Sequence, residues 1–245
     1  MKPMSIPYHL RFSKKAKYLQ LRISSQGLFV VVPHKKPPSQ KTIEDFIQLK
    51  KNWIEKNLNV IRITPKKTIE LPENIHLPAF NQIWQVAYLK TISAKLKLIT
   101  NPHNNQLTII GDIAKQKQCL QLLLHWLKKI AQPFLANELQ KLSDETTLFF
   151  NTVTIRNNTT RWGSCSSQKN INLCCKLLFL SPNLVRHVLL HELCHTRFMN
   201  HSKSFWQLLN RFDPDAFLHA KNLKNLRKTI PLWTETNFFY ENASI

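Results

Sequence analysis

His191-Glu192-Leu193-Cys194-His195, with His201 six residues further on, is the stretch that decides the reading of this chain. Histidines four apart on a helix share a face and can bind one ion together. Glu192 sits one step round from them, where a carboxylate can reach water on the ion without displacing it. The spacing encodes a metal, with zinc the best match to nitrogen ligands, and a general base beside it.

Outward from that stretch, Ser181 suits an N-cap, Pro182 suits the first helical position, and a mostly apolar run extends from Leu184 to Leu193. The predicted helix ends near Asn200. On a helical wheel Leu184, Val188, His191 and His195 form one stripe, and Val185, Leu189 and Leu193 form another. Only the side of Arg186 and Arg197 is left for solvent. So enclosed a helix buries Glu192, which is costly unless a partner offsets it, and a divalent cation does so. Asn200 tolerates left-handed backbone and can turn the chain back to bring His201 in as third ligand, ahead of a second helix from Ser202 to Phe212. Asp213 and Asp215 are the carboxylate alternatives for the third position. His187 reads as packing or support rather than as a fourth ligand.

Other segments extend the pattern. Arg161-Trp162-Gly163-Ser164-Cys165-Ser166, Ile171-Asn172-Leu173, Ser181-Pro182, the H-E-L-C-H segment, and Asn200-His201-Ser202 with Phe205-Trp206 follow in an order that resembles the YgjP-like metallopeptidase family. The resemblance is strongest from Val153 to Asn210 and weaker over Tyr8 to Trp53. More distantly the chain is similar to SprT and Spartan-type proteases. The resemblance implies an α+β fold with a zincin-like catalytic lobe, in which a β-hairpin packs beside the H-E-x-x-H helix. It also implies that His191, His195 and His201 bind one zinc ion, and that Glu192 is the base assisting attack of zinc-bound water on a peptide bond. Arg161 and Trp162 are candidates for the substrate cleft, with a cation packed on an aromatic inside the scaffold as the alternative.

Composition sets the frame for this chemistry. With 245 residues and 43% hydrophobic content, the chain can bury a substantial core, which excludes disorder as the default. The first residues hold no apolar stretch of secretory length and no segment approaches a membrane span, so a cytoplasmic setting without a membrane partner is expected. Five cysteines with no C-x-x-C pair point to reduced, buried thiols, and adjacent Cys174 and Cys175 are expected on opposite faces of a strand. Against 14 acidic residues stand 35 basic ones, a formal net charge of +21. The lysines recur as dispersed pairs such as Lys35-Lys36 and Lys128-Lys129. They create a long-range field for phosphate without a base-reading motif, which limits the expected nucleic-acid association to a non-specific one.

The organisation reads as a β-rich N-terminal lobe over residues 1–112, a helical and zincin-like lobe over 113–229, and a tail over 230–245. Strands at Tyr8 to Phe12, Tyr18 to Ile23 and Leu28 to Val32 suggest a meander, with a link through Ser24-Ser25-Gln26-Gly27. An amphipathic helix from Gln40 to Ile61 follows, with Trp53 in its apolar face. After Pro65-Lys66-Lys67 come strands near Thr68 to Leu71, Ile83 to Leu89, Leu96 to Ile99 and Leu107 to Ile110. A helical region from Ile113 to Leu142 should be kinked or divided by Pro133. Strands at Val153 to Arg156, Thr160 to Cys165 and Ile171 to Leu177 then precede the metal helix. Trp233, Phe238, Phe239 and Tyr240 make a tail expected to dock on the body.

The expected activity is cleavage of a peptide or protein substrate. Two other classes accommodate the same residues: a metal-dependent hydrolase of a non-protein substrate, and a basic nucleic-acid-associated module with structural zinc. Peptidase is preferred because Glu192 is superfluous in a structural site, which usually carries a fourth protein ligand.

Overall fold

The strand Leu28 to Val32 is apolar at every position, and that places it in the middle of a sheet. The computed structural model describes residues 6–24, 27–63, 69–93 and 95–235. Its contacts group into two units, Met1–Thr68 and Ile69–Ile245, each with its own core.

In the first unit, β1 (Tyr8–Ser13), β2 (Gln20–Ser24) and β3 (Gly27–Pro33) form a sheet with β3 at the centre. β1 pairs parallel with β3 and β2 pairs antiparallel with it. This corrects the expected meander: the strands exist, but β1 crosses over to the far side of β3. The expected single helix is two, α1 (Gln40–Leu49) and α2 (Lys51–Ile63), broken at Lys50, whose φ of −102° and ψ of 12° leave the helical region. Ser39 caps α1 by accepting from the Thr42 amide. Ile43, Ile47 and Ile54 close the core over Leu28, Val30 and Val32. Trp53, one position off that face, is 46% exposed rather than in the core.

The second unit opens with a four-stranded sheet of β4 (Asn74–Leu77), β5 (Gln82–Lys90), β6 (Lys97–Asn101) and β7 (Gln106–Gly111), in the order β4-β5-β7-β6. Residues 69–71 are not a strand, and the short β4 was not foreseen; Thr68 lies outside the described residues, as do Ser25, Gln26 and the Pro65-Lys66-Lys67 link. α3 (Gln116–Thr146) packs on this sheet, with Trp126 edge-on to Trp84 at 5.0 Å and Phe134 edge-on to Phe80 at 4.4 Å. These contacts group residues 69–112 with the catalytic lobe instead of with the N-terminal strands. α3 also runs undivided through Pro133. The buried ladder Leu127, Ala131, Leu135 and Leu139 continues on both sides of the proline, and its packing outweighs a break of roughly 3 kcal/mol.

β8 (Thr152–Arg156), β9 (Gly163–Cys165) and β10 (Asn170–Cys174) make the third sheet, in the order β8-β10-β9. β9 and β10 are the expected antiparallel hairpin, closed by Lys169 at a left-handed φ of 57°. The strand β10 ends at Cys174, and residues 175–179 form a 3-10 turn, so Cys174 and Cys175 are both fully buried. All three sheets repeat one arrangement, in which a strand pairs parallel with the third and the intervening strand pairs antiparallel on its other side. α4 (Pro182–Cys194), α5 (Lys203–Phe212) and α6 (Ala216–Leu226) complete the unit.

The tail docks as far as it is described. Trp233 is buried edge-on to Phe179 at 6.1 Å, and Glu235 meets the buried ammonium of Lys176 at 2.7 Å. Phe238, Phe239 and Tyr240 lie outside the described residues. Among the described residues, no helix is long and apolar enough to cross a membrane.

Candidate metal centre

α4 starts as its sequence dictates, with Ser181 in the extended N-cap conformation and Pro182 at the first helical position, although the Ser181 hydroxyl makes no capping bond. Most of its side chains from Leu184 to Cys194 are buried, and Arg186 is tied to Glu145 of α3 by bonds of 3.0 and 2.6 Å. The helix closes earlier than expected. It ends at Cys194, where the amides of Thr196 and Arg197 bond three residues back and tighten the chain into a turn. That turn reverses direction before Asn200, which does not adopt the left-handed backbone anticipated for it. Ser202 then caps α5, accepting from the Phe205 amide.

The tight turn brings His201 back onto the helix face. Nε2 of His191 lies 3.1 Å from Nε2 of His195 and 3.0 Å from Nε2 of His201. Phe205, fully buried on α5, underlies all three rings, at centroid distances of 4.9, 4.7 and 4.9 Å from His191, His195 and His201. His195 Nδ1 donates to the Phe198 carbonyl at 2.9 Å; a carbonyl only accepts, so the lone pair of His195 is on Nε2. Burial, reinforced by the neighbouring imidazoles, pushes His191 down to about 3, and burial lowers His195 as well. One proton cannot satisfy three convergent ring nitrogens, whereas one Lewis acid can. Their observed separations approach the roughly 3.3 Å edge of a tetrahedron with Zn–N of about 2.0–2.1 Å, so the donor set fits zinc.

Glu192 is buried next to this trio, and its Oε2 has no hydrogen-bond partner among the described residues. Burial raises its carboxyl to about 8, opposed by the positive charge of Arg161. The strand β9 passes so close that a Cβ on Gly163 would lie 2.6 Å from Glu192 Oε1, which no other residue type allows without displacement. Sequence reading missed this contact, though the glycine in Trp162-Gly163-Ser164 was its signal.

The carboxylate alternatives go elsewhere. Asp213 accepts from His187 Nδ1 at 2.5 Å, and both its oxygens lie 3.0 Å from His219 Nδ1. The contacts are those of a carboxylate accepting from imidazole N–H groups, strengthened by its negative charge. Burial pushes Asp213 upward, but the two imidazole bonds win and hold it below the usual carboxylate range. His187 Nδ1 is thus turned to Asp213, in a second group with His219 that could also hold an ion, apart from the His191, His195 and His201 trio. Asp215 is exposed at the start of α6.

Arg161 and Trp162 fall on opposite sides of the β9 segment. Trp162 lines a cavity of about 330 Å³ shared with His187, His191 and Glu192, and it carries the Arg227 guanidinium 5.5 Å above its ring. Arg161 is exposed in a second, polar hollow of about 960 Å³. Both residues line hollows, and the cation packed on the indole is Arg227, not Arg161.

The family model of the YgjP-like metallopeptidase domain matches residues 17–226. The chain belongs to the YgjP-like metallopeptidase family. No curated protein matches the chain. A YgjP-like domain is a metal-dependent hydrolase domain, and His191, His195 and His201 are a group in this YgjP-like chain that could hold the ion the family implies.

Proposed function

We propose that the chain is a zinc-dependent peptidase in which His191, His195 and His201 hold the ion and Glu192 is the general base. The observation that carries this reading is the buried Oε2 of Glu192, without a partner among the described residues, on a residue that lines one cavity with His191. A buried carboxylate oxygen with no bond of its own is costly unless it has work at the site. Zinc, when bound, supplies Lewis acidity that polarises a carbonyl and lowers the pKa of water from about 15.7 to near 7. Glu192 accepts the proton of the attacking water and returns it to the departing amide nitrogen. β9 is the outer strand of its sheet, and Gly163 on it touches Glu192, so a peptide added along that edge would carry its carbonyl past the base. Five free cysteines suit a reducing, cytoplasmic setting. The net charge of +21 supports a weak, salt-sensitive association with nucleic acid that is separate from catalysis.

Glu192→Gln tests the assignment. The variant should retain its zinc, measured by elemental analysis, while peptide hydrolysis falls by about 10²–10⁴-fold. Undiminished turnover rejects the role of Glu192.

A further inference from the structure

We propose that the cleft is built for an acidic polypeptide segment, with a glutamate or aspartate side chain beside the scissile bond entering the cavity behind Trp162. This inference rests on the peptidase reading and specifies its substrate class.

The segment from Arg161 to Cys165 is the wall between two hollows. Trp162 and Gly163 face the smaller one, while Arg161, Ser164 and Cys165 face the larger. An extended chain laid along β9 therefore passes both hollows, and its side chains on either side of the scissile bond can reach one or the other. Each hollow holds two cations. Lys224 and Arg227 line the first, Arg156 and Arg161 the second, and none of these four forms an ion pair among the described residues. Among the described residues, the sole acidic one lining either hollow is Glu192. A peptide carrying lysine or arginine would meet two cations and no acid in the larger hollow, and two cations against the single carboxyl of Glu192 in the smaller, whereas a carboxylate meets a cation without an ion-pair partner in either.

The smaller hollow also matches the shape of an acidic side chain. Its apolar walls, Trp162, Val188, Ala220 and Leu223, suit a short aliphatic stem, and Lys224 and Arg227 suit the carboxylate at the stem's end. The larger hollow is floored by the outward face of the sheet, where Thr152, Thr154, Asn170 and Asn172 are cross-linked by bonds of 2.8 and 3.0 Å. That polar floor offers partners to a second acidic or amide side chain. A polypeptide fits better than a nucleic acid, because one face of Trp162 is taken by Arg227 and the residue walls a hollow of about 330 Å³ that suits a side chain.

The test is binding to full-length, zinc-loaded protein carrying Glu192→Gln, read by fluorescence anisotropy at about 0.15 M salt, where charges beyond about 8 Å are screened. Three labelled peptides differ only in having Glu, Gln or Lys at the central positions. The Glu peptide should bind about tenfold more tightly than the Gln peptide, as expected for one or two partly exposed ion pairs, and the Lys peptide more weakly still. Adding Lys224→Glu with Arg227→Glu should abolish the preference. Adding Lys35→Glu with Lys36→Glu, the same change in net charge within the other unit, should leave it in place. Lys224→Glu alone, at an exposed position, should halve the preference or more and covers the case in which the double variant does not fold. Equal binding of Glu and Gln peptides overturns the proposal, as does an equal loss from both charge reversals. A single-stranded oligonucleotide that outcompetes the Glu peptide and depends on Lys224 and Arg227 overturns it in favour of nucleic acid. If Glu peptides bind as described but the wild-type protein leaves them intact, the peptidase reading fails and the acidic preference stands. If neutral peptides are cut as fast as acidic ones, the reverse holds.

Discussion

Gly163 and Glu192 are in contact across the boundary between sheet and helix: a Cβ at position 163 would fall 2.6, 2.7 and 2.8 Å from Oε1, Cγ and Cδ of the glutamate. The edge strand and the Glu192 carboxyl are thereby set in one geometry. Gly163→Ala should push the carboxylate aside or lift β9, lowering kcat/KM on a peptide substrate by about 10²-fold, the scale of a misplacement of about 1 Å. The histidines are untouched, so zinc content should stay at the wild-type level. Wild-type turnover with alanine in place would show that the contact does not position the base.

The histidine trio predicts a stability gain on metal binding. Zinc at about 1,000 times its dissociation constant should stabilise the wild-type protein by about 4 kcal/mol, seen as a rise in melting temperature that a chelator reverses. His191→Ala and His195→Ala should remove the rise. His201→Ala should weaken it, since this exposed histidine comes from the loop beyond the helix. A full zinc-induced rise in all three variants would place the ion elsewhere.

The Asp213 cluster predicts a structural, not a metal-binding, phenotype. Asp213→Asn leaves His187 facing an amide in a buried site and should destabilise the fold by about 2–3 kcal/mol in urea unfolding. Asp215→Asn, at an exposed position, should change stability by less than about 0.5 kcal/mol. The asparagine variant should bind as much zinc as wild type; loss of one equivalent would instead make the cluster a metal site.

The same cluster sets an acid sensitivity. His187 is held below its ordinary value chiefly by burial, so the unfolded chain binds its proton first as pH falls, and stability declines once pH drops below about 6.5. Asp213, held below its ordinary range, contributes stability that is present above about 3.9 and is lost as pH falls through its lower folded value. Urea midpoints should therefore fall from pH 7 to pH 5 in wild type and Asp213→Asn alike, while the further fall below pH 4 should be smaller in the variant. A flat profile in wild type would contradict the burial of His187.

The tail should matter to stability. Trp233→Ala removes a buried indole packed on Phe179 and should cost about 3–5 kcal/mol. Glu235→Gln leaves Lys176, 3% exposed at its side chain, without its anionic partner and should cost about 2 kcal/mol, less than a fully buried pair because Glu235 is 27% exposed. Differential scanning calorimetry of the two variants, with unchanged melting as the contrary outcome, decides whether residues 230–235 belong to the fold.

The H-E-x-x-H helix, its start at Ser181-Pro182 and its histidine pair were legible in the sequence because α-helical spacing is local: residues four apart must share a face whatever surrounds them. The hairpin β9–β10 was legible from its two short runs and the Ser166 to Asn170 turn between them, although both strands are shorter than expected. Pairing was not. The crossover of β1, the grouping of residues 69–112 with α3, and the continuity of α3 through Pro133 depend on contacts between distant residues, such as Trp84 with Trp126, that no local pattern carries. At the site, sequence determined which nitrogens and which carboxylate are available, since residue type alone fixes donor chemistry. Tertiary structure decided that His201 rather than Asp213 meets the helix pair, because the tight turn after Cys194 ends before Asn200 while Asp213 is already engaged by two imidazole N–H groups. It also decided that Gly163 meets Glu192, since close packing between a strand and a helix is a property of where the chain is folded, not of either segment alone.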